Sequence, residues 1–231
     1  MRGYKPLSRT WLASLATDSK VYLKLRVAFD GVNDENLATV FPDAEYTIIS
    51  ALTIVATQLN LNGIAVKFLP WTSNGQDYLN NTATRTATGG SPPYTYQSSN
   101  TAAVSVHLTT GKVIGNRNGT SEITVTDNNG NTASYITVVS NVFTLLQNLE
   151  NLTATQAIAW RKTDPSAIAV ENAHFLAMER IYGVPRLPII GFRWPTIEAF
   201  QGNQGLAYDA AQGLYYRGIG DRANGWALKP Y

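Results

Sequence analysis

Apolar and polar residues alternate most regularly between Pro92 and Val139, where short period-two segments are cut by turn residues at near-regular intervals. Val104-Ser-Val106-His-Leu108 alternates, and Thr110-Gly111 turns the chain into Lys112-Val-Ile114. Asn118-Gly119 turns it into Ile123-Thr-Val125, and Asn129-Gly130 leads to Tyr135-Ile-Thr-Val138. This pattern predicts a small β-sandwich with Val104, Val106, Leu108, Val113, Ile123, Val125, Ile136 and Val138 facing inward. Upstream, Val21, Leu23, Leu25, Val27 and Phe29 alternate with Tyr22, Lys24 and Arg26, as in a half-buried strand. Tyr46 to Gln58 is apolar on both sides and rich in β-branched residues, so a second long strand covered on both faces is expected. Asn62-Gly63 then signals a tight turn into a returning strand of Ile64, Val66 and Phe68.

The pattern changes after Ser140. Thr153-Ala-Thr-Gln156 has the spacing of a capping box and opens a helix carrying Ala157, Ile158 and Trp160. Asp164-Pro165 offers a second helix start, and a helix from there to Tyr182 would place Ile168, Phe175, Met178 and Tyr182 on one face. Gly183 and Pro185 end it. From Leu187 to Tyr231 the chain is rich in loops and aromatic rings. The expected fold is therefore mainly β. It comprises an extended arm (1–20), an N-terminal antiparallel β domain (21–75), a central immunoglobulin-like β-sandwich (76–141) and a C-terminal α+β cap (142–231).

The run YTYQSSNTAAVSV followed by TGKVIGNRNGTSEITVTDNNGNTASYITV resembles a group-2 bacterial immunoglobulin-like (Big2) domain. Such domains occur in intimin/invasin-type adhesins and in phage structural proteins. The resemblance covers about a third of the chain, and its most regular features are the SSN corner, the TGKV hairpin and the NGTSEITVTD strand. It implies a spacer or binding module rather than an enzyme. The later segments SNVFTLL, LTATQAIAW and LAMERIYG are similar to the start of the C-type-lectin-like cap of intimin-type adhesins, which in that family touches the receptor. The chain departs from that pattern by lacking a cysteine pair and a clear YWTS strand, for which Leu214 to Gly218 (LYYRG) is the substitute.

Composition narrows the function classes. Charged residues make up 15% of the chain, well under the usual quarter, which suits a β-rich extracellular or virion protein. The net charge is +2 and no Lys/Arg run exists, so nothing marks a nucleic-acid partner. Cysteine is absent, which excludes disulfides, thiolate metal sites and a cysteine nucleophile. The apolar stretch from Trp11 to Ala16 is too short for an export signal or a membrane span, so a complete chain with no classical leader and no membrane insertion is expected. That expectation favours a phage particle over a secreted adhesin.

Candidate chemistry is sparse. His107 and His174 are the only histidines, and neither belongs to a recognisable constellation. Asp30, Asn33, Asp34 and Asn36 offer oxygen ligands but lack the glycine and bidentate glutamate of a calcium loop. Glu171, Glu179, Glu198, Asp209 and Asp221 sit in no glycosidase motif. No cofactor or metal is expected. The aromatic-rich tail is the best interaction surface on offer: Trp194, Tyr208, Tyr215, Tyr216 and Trp226 interleaved with Arg193, Arg217 and Arg222. Its rings could equally fill the core of a small domain with few aliphatics. Tyr4 and Trp11 are candidate assembly anchors on the arm.

The expected function is a non-enzymatic structural or attachment protein of a phage virion, projecting an immunoglobulin-like module for surface binding. The expected partners are other virion proteins in a homo-oligomer or symmetric assembly, and a host-surface glycan or protein. The alternative is an intimin/invasin-type bacterial surface adhesin, and the third class is a phage-borne cell-wall or glycan hydrolase.

Overall fold

The computed structural model describes residues 9–27, 39–183, 192–209 and 211–231. A short helix α1 (Arg9–Ala13) precedes four short strands, β1 (Lys20–Leu23), β2 (Arg26–Val27), β3 (Thr39–Val40) and β4 (Ala44–Thr47). They form two ribbons, β1 with β4 and β2 with β3, each antiparallel. The expected strand from Val21 is thus broken after Leu23, and residues 28–29 of it lie outside the described residues, as does the oxygen-rich loop from Asp30. Val21 is the one residue of these strands that is buried.

The long strand expected over 46–58 is corrected to Ala44–Thr47. Beyond it the chain runs along the sandwich without a ladder, touching it through the Thr53–Thr88 bridge and the side chains of Leu52 and Ile54. Arg85 Nη1 clamps this segment by donating to the carbonyls of Val55 (2.7 Å) and Thr57 (2.5 Å). Ile49 and Val55 remain exposed, so only one side is covered. β-branched residues favour extended backbone, but a strand also needs a neighbour to pair with.

The central sandwich has two sheets. One is β7 (Thr82–Thr84), β10 (Lys112–Gly115) and β9 (Val104–Val106), in that spatial order. The other is β5 (Leu59–Leu61), β12 (Thr132–Val139), β11 (Gly119–Thr126) and β8 (Thr95–Ser98). Leu61, Tyr96, Val104, Val113, Ile123 and Val125 meet between them. The inward set on β12 is shifted by one residue from expectation: Tyr135, Thr137 and Val139 are buried, whereas Ile136 is 40% exposed. The cause is the register with β11, where buried Ile123 lies opposite Tyr135 and buried Ser121 opposite Thr137. Leu108 falls beyond β9 and is exposed. The SSN corner is a hydrogen-bond node, in which Ser98 Oγ donates to Val104 O at 2.6 Å and lies 2.8 Å from Ser121 Oγ. At the TGKV turn Gly111 has φ +69°, and a Cβ there would lie 2.2 Å from Arg85 O, so only glycine fits.

β5 is followed by β6 (Ala65–Lys67), and here the expected Asn62-Gly63 hairpin does not form. β5 pairs parallel with β12 in the sandwich, while β6 pairs parallel with β13 (Val142–Leu152) in the cap. The residues expected to complete an N-terminal β unit therefore serve two other sheets. Gly63 passes so close to a neighbouring loop that a Cβ would sit 1.8 Å from Leu79 O. Two chain segments thus cross side by side from sandwich to cap. Ser140 N–H donates to Leu61 O (3.0 Å), Ala65 N–H to Asn141 O (3.0 Å) and Asn141 Nδ2 to Asn62 O (2.8 Å). Asn118 adds a latch, accepting from Val142 N–H at 2.8 Å and donating to Val142 O at 2.9 Å.

In the cap, α2 (Ala154–Lys162) begins at the expected capping box of Thr153 and Gln156. The second helix, α3 (Asn172–Tyr182), starts later than Asp164-Pro165 signals. Ile168 instead bridges Leu228, and its N–H donates to Leu228 O at 2.8 Å, which holds the intervening chain extended. Phe175, Met178 and Tyr182 do share the buried face of α3. The remaining strands are β14 (Phe200–Gln201), β15 (Gln204–Asp209), β16 (Gly213–Gly218) and β17 (Ala223–Pro230). They complete two sheets, β17-β13-β6 and β14-β15-β16. The protein is mainly β, with an immunoglobulin-like sandwich at its centre.

Candidate contact surface

The aromatic tail divides into a core and a surface. Trp194, Tyr208 and Trp226 are each only 1% exposed, so the expectation that they form a contact surface is corrected. The Tyr208 ring stacks on Phe175 with centroids 3.6 Å apart, and its hydroxyl donates to Glu179 Oε1 at 2.6 Å. Burial and the Glu179 carboxylate together hold the Tyr208 hydroxyl above its ordinary pKa. Trp226 meets Trp71 edge-on, and Trp194 Nε1 donates to Leu152 O at 3.0 Å. These rings close the space around α2 and α3, a use that follows from the large apolar area of Trp and Tyr.

The cationic and outer aromatic residues behave differently. Arg193 is half-buried, exchanges backbone hydrogen bonds with Tyr208, and has its pKa lowered by that burial. Tyr215 is half-buried beside Leu152 and Trp194, whereas Tyr216 is 41% exposed. The Arg217 guanidinium lies 4.2 Å above the Phe192 ring, and its Nε donates to Asp221 Oδ2 at 2.7 Å. Arg222 is exposed and anchored through Nη1 to Asn151 O at 2.9 Å. Tyr215, Tyr216, Arg217 and Arg222 therefore gather along β16 and the turn after it. Phe192 was missed as the platform that orients Arg217, and a single Phe before an Arg-Trp pair carries no periodicity that would have marked it.

A second concave feature lies between α3 and the loops of the crossing. This cleft of about 550 Å³ is lined by Asn62, Ile64, Leu79, Leu176, Ala177 and Arg180, among others. Ala173, Leu176, Ala177 and Arg180 recur at helical spacing on the outer face of α3, a signal the sequence contained. Of the expected anchors, Trp11 is 46% exposed on α1, and Tyr4 lies outside the described residues.

Both histidines are engaged locally. His174 is buried and its Nδ1 accepts from Glu171 N–H at 3.1 Å, while His107 Nδ1 accepts from Thr110 N–H at 3.3 Å. Among the described residues no group of three or more His, Cys, Asp or Glu could hold a metal ion, and no helix is long and apolar enough to cross a membrane.

Comparison with known proteins finds a local match. Residues 78–129 match the model of the intimin immunoglobulin-like domain, which spans β7 to the turn after β11. Among solved structures, the chain is similar to a C-terminal 282-residue fragment of intimin in complex with the intimin-binding domain of the translocated intimin receptor. The identity there is 18% and the TM-score 0.49, over 91% of this chain and 75% of that one. An intimin mutant from EHEC O157:H7 aligns at 16% identity and a TM-score of 0.43, covering 79% of this chain and 99% of that chain. Intimin-190 from enteropathogenic E. coli aligns at 19% identity and a TM-score of 0.42, covering 66% and 87%. No curated protein matches the sequence. The matched model is that of the intimin domain.

Proposed function

We propose that this chain is an attachment module of an intimin/invasin-type bacterial surface adhesin. The observation that carries this reading is the match of residues 78–129 to the intimin immunoglobulin-like domain, within a packed sandwich that continues into an aromatic-cored cap. In this reading the sandwich is a spacer. The cap presents Tyr216 on one face of β16, and Arg217 on the other with Arg222 in the turn beyond it, to a protein on the host surface, since Tyr and Arg dominate protein-binding hot spots. No step of this role needs a cofactor or a bond-breaking group. This alternative is preferred to the virion reading because the matched family model is an intimin domain. The domain limits proposed are 59–61 with 78–139 for the sandwich and 65–67 with 142–231 for the cap, as strand pairing groups them.

The test is immunogold labelling of intact cells of the source bacterium and of its purified phage particles with an antibody against this chain. Label on the cell surface is expected. Label confined to particles would overturn the adhesin reading. Binding of the purified chain to cultured host cells should then fall when Arg217 and Arg222 are both changed to Glu.

A further inference from the structure

The two sheets of the cap end in four outer strands, and three of them are closed. At β6 the Val66 carbonyl accepts from the hydroxyls of Tyr78 and Tyr182, and Phe68 N–H donates to Tyr182 Oη at 3.2 Å. At β17 the outer side is bridged by Ile168 and Trp194. β14 is a two-residue strand, too short to template another. β16 is six residues long, and among the described residues the only backbone bond on its outer side is Asp221 N–H to Gly218 O at 3.0 Å.

The direction of each peptide group on β16 follows from hydrogen bonds one strand away. On β15, Leu206 N–H donates to Ala199 O, and Tyr208 exchanges bonds with Arg193, so these residues turn their backbone groups away from β16. Backbone direction alternates along a strand, so Gly205, Ala207 and Asp209 are the residues that bond to β16. Their partners are Arg217, Tyr215 and Gly213. Leu214, Tyr216 and Gly218 therefore turn N–H and C=O outward. A charged side chain is the usual protection of such an edge. The one charge on this strand, Arg217, is drawn down onto Phe192 and Asp221 instead.

From this edge we infer that β16 pairs antiparallel with β16 of a second copy of this chain, about a two-fold axis beside Tyr215. Leu214 and the partner's Tyr216 exchange both backbone bonds, and symmetry repeats the exchange. The Gly218 carbonyl, already engaged, is not needed. In this register Tyr215 faces the partner's Tyr215, and Arg217 faces the partner's Gly213, so no like charges meet. Leu214 packs against the partner's Tyr216 on the other face. The two three-stranded sheets become one continuous sheet through the dimer. A second copy meets this edge with matched outward peptide groups and no like charges opposed, and the inference stands whether or not the chain is an adhesin.

Sedimentation velocity of the full chain from micromolar to millimolar concentration tests it, with a reversible dimer expected. Tyr216→Pro removes an outward N–H while leaving the ladder to β15 intact, because proline is tolerated where an edge N–H faces solvent. It should weaken the dimer by about tenfold or more, whereas Tyr216→Phe should leave it unchanged. In the unaltered chain, hydrogen exchange at the Leu214 and Tyr216 amides should slow as concentration rises, a readout that needs no variant. A chain that stays monomeric at millimolar concentration overturns the inference and leaves the edge to a different partner. A dimer that survives Tyr216→Pro, or amides indifferent to concentration, overturns it equally.

Discussion

The N-terminal ribbons and the central sandwich carry the same alternation and treat it differently. Val21-Tyr-Leu23 and Ile123-Thr-Val125 have the same pattern, yet Ile123 and Val125 are fully buried while Leu23 stays exposed. The contrast lies in neighbours. β11 has β8 on one side, β12 on the other and a second sheet across from it. β1 has β4 alone, and the space over its apolar side is a shallow pocket of about 230 Å³ lined by Leu12, Val21, Leu23, Tyr46 and Ile48. Alternation specifies which face is apolar. Burying that face takes a second layer supplied by residues remote in sequence.

The sharpest way to break this comparison is a pair of truncations read by urea unfolding. Ile123→Ala should cost about 2–5 kcal/mol, since it empties a closed core. Val40→Ala, at a residue 63% exposed, should stay within about 0.5 kcal/mol. An equal cost at Val40 would mean that the ribbons have a cover of their own. Next in size is Asn118→Ala, which leaves the Val142 backbone without its two side-chain hydrogen bonds and should cost about 1–3 kcal/mol. The loss should appear in both sandwich and cap, because the latch joins them.

A smaller effect separates the cap from the sandwich by pH. Burial holds His174 below its ordinary pKa. The unfolded chain takes up a proton near pH 6.5 and the folded cap resists it, so this stability is complete above about 6.5 and declines as pH falls below that value. His174→Asn should flatten the slope of melting temperature between about pH 7 and pH 5. The Asp164 carboxyl, held down to about 2 by the Ser166 hydroxyl and by Lys229, loses its contribution mainly below about pH 5, under that window. Smallest of all is Lys20→Ala, which removes an exposed pair with Glu45 at 2.5 Å and should change stability by less than about 1 kcal/mol.

These contrasts mark what the sequence made legible. The strands from Thr95 to Val139 were readable because each is bounded by a local turn such as Thr110-Gly111, and the start of α2 was readable because both halves of its capping box lie within four residues. The path of 48–58 was not, since its partners are Thr88 and Arg85, more than twenty residues away. The same holds for the split at Gly63, which depends on β12 and β13. In the candidate site, Tyr216 and Arg217 were expected at the surface by type, and Tyr216 is 41% exposed. Trp194 and Trp226 were not separable from them, because a ring suited to a hot spot is equally suited to a core. The outward peptide groups of β16 depend on a register that side-chain identity does not encode.

The double crossing at Gly63 and Asn141 gives the molecule a particular load path. Both segments run in the same direction from sandwich to cap, and each is paired with the other on either side of the joint. A tether pulling on the chain ahead of Leu59 against a held cap would drag β5 lengthwise along β12. The hydrogen bonds there would be strained together in shear rather than peeled one by one. Two struts side by side also resist torque, which a single connecting strand would relieve by spinning about its own bonds. Force applied ahead of Leu59 would therefore be met at the joint by both paired segments together, with little swivel between sandwich and cap.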